Sequence, residues 1–263
     1  MIGLLLFLNA LRIGPRAALG SLGEARDSMR LILVYQLAAP LIALGLAMAL
    51  GIVWTVPALA LILMLSAPSV TGSPNFTAML GHDPAQPMRL MLVGTALFPL
   101  TVIPVLIGLP SVETISEVLA AALRLLAVIA LAVGAAFVLR LTLWRQLGDG
   151  GRGGLDGASA LLLGFVVIGL MSAAGPALRS EPAMFFGFLM FAFLANFSLQ
   201  VLAFFTVARR QVGASIVAGN RNIALFLVAL PPETTTPLLL FIACYQVPMY
   251  LTPILLGRLY RRV

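Results

Sequence analysis

Charged residues, cysteine and histidine are all scarce in this sequence. Only 10% of the 263 residues are charged, and the chain has one cysteine, Cys244, and one histidine, His82. A zinc site takes three or four ligands from Cys, His, Asp and Glu, so these two residues do not provide one. The lone histidine and the lack of a G-x-S-x-G motif also argue against a hydrolytic triad. We therefore expect neither an enzyme nor a bound cofactor.

Apolar residues are abundant and occur in long runs. They make up 61% of the chain, and the mean hydropathy is +1.09. A membrane-spanning helix takes about 20 apolar residues. Nine runs separated by short loops cover residues 2–13, 30–53, 56–81, 89–109, 118–143, 158–178, 183–208, 212–230 and 235–257. The sequence therefore predicts an all-α membrane protein with about nine transmembrane helices, forming a single unit in the lipid bilayer over residues 1–263.

The first run is shorter than the others. Its dozen residues do not cross a bilayer core of about 30 Å, so it is typical of the end of a helix. We expect one span to be missing at the N-terminus, either because the start codon lies further upstream or because a partner supplies the helix.

The basic residues indicate the orientation in the membrane. All 16 are arginines, and the net charge is +7. In a soluble protein this charge would favour nucleic-acid binding, but here the arginines lie mostly between apolar runs, where they act as topology signals. With the first loop cytoplasmic, the arginines on that side are Arg12, Arg16, Arg26, Arg30, Arg89, Arg140, Arg145, Arg152, Arg209, Arg210, Arg258, Arg261 and Arg262. This predicts a cytoplasmic C-terminus and no nucleic-acid partner, and the arginine-only basic set favours a bacterial inner membrane.

Two of the runs contain residues that interrupt a helix. The third carries LSAPSVTGSPNFTAML, with Pro68, Gly72 and Pro74 within seven residues, and the eighth places Gly219 beside the polar residues 220–222. Proline removes a backbone donor and clashes with the preceding turn. Freed backbone groups are tolerated at membrane depth only where protein or a cavity satisfies them. Both interruptions are therefore expected to line a cavity.

The two interruptions are five spans apart, an odd number, so the two helices run in opposite directions across the membrane. This spacing predicts an inverted repeat whose two broken helices cross, with one half at 1–109, lacking its first span, and the other at 118–257. A core of spans 30–109 and 183–257 would then pack against a panel of residues 1–13 and 118–178. Carriers built in this way bind substrate at their broken helices and expose it to each side in turn.

At these segments the sequence resembles the bile acid:sodium symporter family. The family's first crossing region reads like CPGGTASNVMTYLAKGD, and APSVTGSPNFTAMLGHD here matches it at Pro68, Thr71, Ser73, Thr77 and Asp83. VYQLAAP, with Gln36 and Pro40, is similar to the family's QFxxMP segment, and residues 217–222 align with its E-V-G-M-Q-N. The resemblance implies a secondary transporter of a small organic anion, such as a carboxylate or sulfonate.

The sequence departs from the family pattern where the family binds sodium. The sodium-binding Glu is replaced by Val217, the Gln by Arg221, and the Asn after Ser73 by Pro74. A fixed guanidinium would oppose a bound cation by several kcal/mol at short range. We therefore expect that the sodium site nearest Arg221 is absent, that its guanidinium takes the place of the cation, and that the site near Ser73 and Thr95 is weakened.

The predicted substrate- or ion-binding residues come from the two interruptions and from the matched segments. They are Gln36, Thr71, Ser73, Asn75, Thr77, Thr95, Asn220, Arg221 and Asn222.

Several alternatives stay open at this point. Arg221 could bind an anionic substrate, replace a bound cation or clamp the carbonyl groups of the first interruption. Arg124 could extend along its helix to the membrane interface. The chain could also be a non-transporting sensor, an assembly partner or a truncated relative of the transporters. The sequence leaves the substrate, the coupling ion and the oligomeric state undetermined.

Overall fold

The described part of the chain consists of helices and their connections. The computed structural model describes residues 2–13, 22–109, 114–143 and 149–261. Within these ranges there is no β-strand, only one isolated antiparallel bridge between Ser69 and Arg221. In chain order the α-helices are α1 (Ile2–Ile13), α2 (Leu22–Leu33), α3 (Ala39–Ala49), α4 (Val56–Ser66), α5 (Ser73–Met79), α6 (Ala85–Thr101), α7 (Ile103–Ile107), α8 (Ile115–Leu143), α9 (Asp149–Leu170), α10 (Ala174–Ser180), α11 (Pro182–Phe205), α12 (Val212–Gly219), α13 (Phe226–Ala229), α14 (Pro232–Thr235), α15 (Leu239–Leu255) and α16 (Gly257–Tyr260).

Within the described ranges, five helical segments are long and apolar enough to cross a membrane. They are Glu24–Ala49, Ala85–Ile107, Ile115–Leu141, Pro182–Phe205 and Pro232–Leu255. Two shorter apolar segments, Val56–Ser66 and Gly164–Ser180, accompany them. Large apolar side chains such as Leu131 and Leu141 are 73% and 81% exposed on these helices, as a helix surrounded by lipid requires. The all-α fold class is confirmed, and the helices are those of a multi-pass membrane protein.

The segment between α2 and α3 is a π-helical turn, Val34–Ala38, caused by the proline that follows it. The amide of Ala39 donates to the carbonyl of Val34, five residues back, instead of to Tyr35. The next amide in this pattern would come from Pro40, which has no N–H. The carbonyl of Tyr35 is therefore left without a partner inside its own helix.

Both interruptions expected from the sequence are present. The first separates α4 from α5, where Ala67 is extended (φ −64°, ψ 150°) and Pro68 follows it. The second separates α12 from α13, and Asn220 is extended there (φ −103°, ψ 92°). A 3₁₀ turn, Ile223–Leu225, then leads into α13.

The packing of the helices brings the two interruptions together. Helix α11 packs against both α12 and α15, and α12 also packs against α5 and α6. Gly219 makes the contact between α11 and α12 possible, because a Cβ there would lie 2.2 Å from the carbonyl oxygen of Asn196. Helix α1 packs against α8 and α9. The second interruption is thus held between α11, α15 and the first interruption.

Candidate functional site: the helix crossing and its cavity

The two interruptions are joined by backbone hydrogen bonds. The amide of Val70 donates to the carbonyl of Asn220 at 3.0 Å, and the amide of Asn222 donates to the carbonyl of Pro68 at 2.8 Å. These bonds form the antiparallel bridge between Ser69 and Arg221. We call this junction of the two interruptions the crossing. Each unwound segment therefore satisfies polar groups of the other, which is the compensation that non-helical backbone inside a membrane protein needs.

The guanidinium of Arg221 is bound to three carbonyl oxygens from three segments. Its Nε donates to Ala218 at 3.0 Å, one Nη to Ala67 at 3.1 Å and the other Nη to Tyr35 at 3.2 Å. Arg221 is 2% exposed, and it has no ion pair among the described residues. The cation is thus balanced by backbone dipoles, and one side chain connects the α2–α3 segment to both interruptions.

Each of these carbonyls is available because the local backbone leaves it unpaired. In the π-helical pattern the carbonyl of Tyr35 would accept from residue 40, but Pro40 has no N–H. Ala67 lies just beyond the end of α4 in extended conformation. Ala218 would accept from the amide of Asn222 in a continuous helix, but that amide donates to Pro68 instead. The guanidinium, with five N–H donors in a rigid fork, is suited to satisfy several such carbonyls at once.

Two tyrosines flank Arg221. The ring of Tyr35 lies 5.1 Å from the guanidinium carbon, which is a cation–π contact. The hydroxyl of Tyr245 accepts from the backbone amide of Arg221 at 2.9 Å and donates to the carbonyl of Gly219. The hydroxyl of Tyr35, by contrast, is buried and has no hydrogen-bond partner in the described part of the chain.

The neighbouring Asn220 belongs to a separate buried hydrogen-bond network. Its Oδ1 accepts from Asn196 at 2.8 Å, and its Nδ2 donates to Thr252 at 3.3 Å. Gln200 donates to both Asn196 (2.6 Å) and Thr252 (3.0 Å), and its own carbonyl accepts from Tyr260. These amides hold α11, α15 and the second interruption in fixed relative positions.

A cavity opens beside the crossing. The polar groups on its wall come from Thr71, Arg221, Asn222, Gln246 and Tyr250. The rest of the wall is apolar and includes side chains of α1 and α9. The cavity has a volume of about 30 Å³, well below the roughly 300–1,000 Å³ of drug-sized sites, so a larger ligand requires the cavity to widen. Its wall combines one cation and a few polar groups with an apolar surface.

Of the nine predicted site residues, three line the cavity and six lie elsewhere. Thr71, Arg221 and Asn222 line the cavity. Asn220 is fully buried in the α11–α15 network, and Ser73 and Thr77 are bonded within the first interruption and α5, since Ser69 donates to Ser73 and Thr77 donates to the carbonyl of Ser73.

The other three predicted residues lie outside the cavity wall. Gln36 accepts a hydrogen bond from Thr101 at 3.3 Å, and Thr95 is buried within α6. Asn75 is exposed on α5.

Tyr35, Tyr245 and Gln246 are not among the site residues predicted from the sequence. The first two hold Arg221, and Gln246 lines the cavity. A signal existed for the last two: they are adjacent polar residues within the otherwise apolar run at 235–257. No such signal marks Tyr35, because its role depends on its carbonyl and on Pro40.

The chain matches no protein-family model and no curated protein. The geometry of the crossing and its cavity therefore carries the functional argument.

Proposed function

We propose that this chain is a secondary transporter that moves a small organic anion across the membrane by alternating access. The observation that supports it best is the direct bridge between two interrupted helices at Ser69 and Arg221. Carriers with interrupted helices place the substrate at the unwound segments.

The anion would bind in the cavity beside the crossing. Its charged group would face Arg221 and accept hydrogen bonds from Thr71, Asn222 or Gln246, all of which line the wall. Three of the five N–H groups of Arg221 are bonded to carbonyls, so the remaining two are available to a carboxylate or a sulfonate. The apolar wall would hold the rest of the molecule.

The proposed carrier works without a bound sodium ion. The positive charge that touches the carbonyls of Tyr35, Ala67 and Ala218 belongs to Arg221 itself. Carbonyl oxygens are also the ligands that hard cations prefer. In this proposal the guanidinium of Arg221 binds the carbonyl oxygens that a diffusible cation would otherwise bind. Because it is part of the chain, it stabilises the crossing in every step of the cycle.

The topology that goes with this function is an inverted repeat of about nine spans in a bacterial inner membrane, with the C-terminus in the cytoplasm. It is supported by the pairing of one interruption from residues 1–109 with one from 118–257. The α1 and α9 side chains on the cavity wall would belong to the panel against which the core moves.

Uptake by purified protein in proteoliposomes tests the proposal. Labelled benzoate and labelled taurocholate represent the carboxylate and sulfonate classes, and each is measured in sodium and in choline medium at matched ionic strength. We expect saturable uptake of at least one probe, equal in the two media, and loss of this uptake in Arg221→Gln. Arg179→Gln is the matched control, since it removes the same charge at an exposed position outside the cavity.

Three results would count against the proposal. Uptake that is no faster than in empty liposomes for both probes would contradict transport of these anions. Equal uptake by Arg221→Gln and Arg179→Gln would contradict the role of Arg221. Uptake that requires sodium would contradict the fixed cation.

A further inference from the structure

A second cavity, sharing no residue with the first, lies between the first third of α8 and the α13–α14 segment. Its floor is apolar and includes Leu106, Val118 and Leu230. Three residues with polar side chains also line it: Glu117, Arg124 and Thr234. An apolar floor with a carboxylate and a guanidinium is a different chemical pattern from that of the crossing.

Arg124 is an exposed cation on a membrane-spanning helix. It lies nine residues after Ile115, or about 14 Å along the axis. The surrounding Leu119, Leu123 and Leu126 are 49%, 62% and 49% exposed, as expected of a face that contacts lipid. Arg124 has no hydrogen bond or ion pair with the described residues. The long side chain can extend along α8 toward the membrane interface, where the bilayer supplies phosphodiester groups that accept hydrogen bonds from a guanidinium.

Glu117 lies on the same face of α8, nearer to the membrane surface. It lies seven positions before Arg124, which is about two helical turns, or about 10 Å along the axis. The carboxylate therefore stands at the beginning of the helix and the guanidinium deeper in the membrane. Glu233, next to the lining residue Thr234 in the chain, adds another acid at this end.

This order of charges is complementary to one type of lipid headgroup. In phosphatidylethanolamine the ammonium lies outside the phosphate, so the ammonium would meet Glu117 while the phosphate meets Arg124. A carboxylate accepts hydrogen bonds from an ammonium, whereas the quaternary ammonium of phosphatidylcholine has no N–H to donate. Phosphatidylglycerol has no cation, and its charge would be repelled by Glu117.

We propose that the cavity of Glu117, Arg124 and Thr234 is a binding site for a phosphatidylethanolamine molecule. Its phosphate binds Arg124, its ammonium binds Glu117, and an acyl chain lies on the floor between α8 and α13. Bound in this way, the lipid fills the gap beside the α13–α14 segment, which continues from the second interruption. This lipid site does not depend on the proposed transport of an anion.

Native mass spectrometry of the purified protein with added lipids of identical acyl chains tests this site. Phosphatidylethanolamine, phosphatidylcholine and phosphatidylglycerol are titrated separately, and thermal unfolding is followed in parallel. We expect the wild type to retain phosphatidylethanolamine most tightly. Arg124→Gln should bind it about tenfold more weakly, because a charge-assisted contact is lost. Arg179→Gln, which removes the same charge elsewhere on the surface, should bind it as the wild type does.

A second variant separates the headgroup preference from general lipid binding. Glu117→Gln should lose most of the preference for phosphatidylethanolamine over phosphatidylcholine, and it should bind phosphatidylglycerol more tightly than the wild type does. Equal retention of the three lipids by the wild type would overturn the proposal. So would equal binding of phosphatidylethanolamine by Arg124→Gln and Arg179→Gln.

Discussion

The carbonyl oxygen of Tyr35 accepts a hydrogen bond from the guanidinium of Arg221 at 3.2 Å, across 186 residues of sequence. The contact exists because Pro40 leaves this carbonyl without an amide partner. It ties the π-helical turn of the first long helix to the point where the two interruptions meet. The stability of the crossing therefore depends on a residue that is not part of either interruption.

Replacing Arg221 should destabilise the protein. Arg221→Ala removes three hydrogen bonds and leaves three buried carbonyls unpaired, so we expect a loss of about 3 kcal/mol or more in unfolding free energy. Arg221→Lys should lose less, since it keeps the charge but not the fork geometry. Thermal unfolding in detergent compares the variants.

Guanidinium ion provides a specific control for this prediction. If the three carbonyls form a cation site, guanidinium chloride at low millimolar concentration should raise the Tm of Arg221→Ala but not that of the wild type. Tetramethylammonium chloride, which has no N–H donor, should have no such effect. An Arg221→Ala Tm that responds equally to both salts would contradict a specific carbonyl site.

The two tyrosines beside Arg221 should respond differently to removal of their hydroxyl groups. The Tyr35 hydroxyl is buried and has no partner among the described residues, so Tyr35→Phe should leave stability unchanged or raise it by about 1 kcal/mol. The Tyr245 hydroxyl bonds to both Arg221 and Gly219, so Tyr245→Phe should lower stability by about 1–3 kcal/mol. Thermal unfolding of the two variants measures these effects. Similar changes in Tm for the two substitutions would contradict the predicted difference between the hydroxyls.

A methyl group at Gly219 should disturb the contact between α11 and α12. Its Cβ would lie 2.2 Å from a backbone oxygen of Asn196 and 2.5 Å from Gln200. Backbone does not move aside easily, so we expect Gly219→Ala to cost about 1–3 kcal/mol. Gly187→Ala in α11, where a Cβ meets nothing within 4 Å, should be neutral or stabilising by up to about 1 kcal/mol. Thermal unfolding of the pair checks this, and a neutral Gly219→Ala would mean that the helices can separate at that point.

Gln246 should affect binding more than stability. It lines the cavity, and among the residues that the structure describes its side-chain amide has one hydrogen bond, a donation to the carbonyl of Ile242 in its own helix. In proteoliposomes we expect Gln246→Leu to raise the half-saturation concentration for the transported anion by about tenfold, with a Tm near that of the wild type. An unchanged half-saturation concentration would place the anion elsewhere.

The sequence predicted the local features of this molecule better than its long-range contacts. Pro68, Gly72 and Pro74 are sufficient to predict that the third apolar run is not one continuous helix, and α4 ends at Ser66. An arginine in an apolar run has a high free-energy cost of membrane insertion, so the sequence alone marks Arg221 as a candidate functional residue. Which carbonyls it binds depends on how three distant segments pack, and no local pattern contains that information. For the same reason Gln36, which resembles a family motif, lies against Thr101 instead of at the cavity.

A cation that is covalently part of the chain cannot be released on the other side of the membrane. If Arg221 replaces a diffusible ion, each transport cycle returns the same charge to its starting place, and the gradient of the replaced ion contributes no free energy to the cycle. Without another coupled solute, an anion would then move only down its own electrochemical gradient. A cytoplasm that is electrically negative favours the exit of a monovalent anion by about 2.3 kcal/mol per 100 mV. With Arg221 at the crossing, the protein would thus favour efflux of anions, unless another solute is exchanged for them.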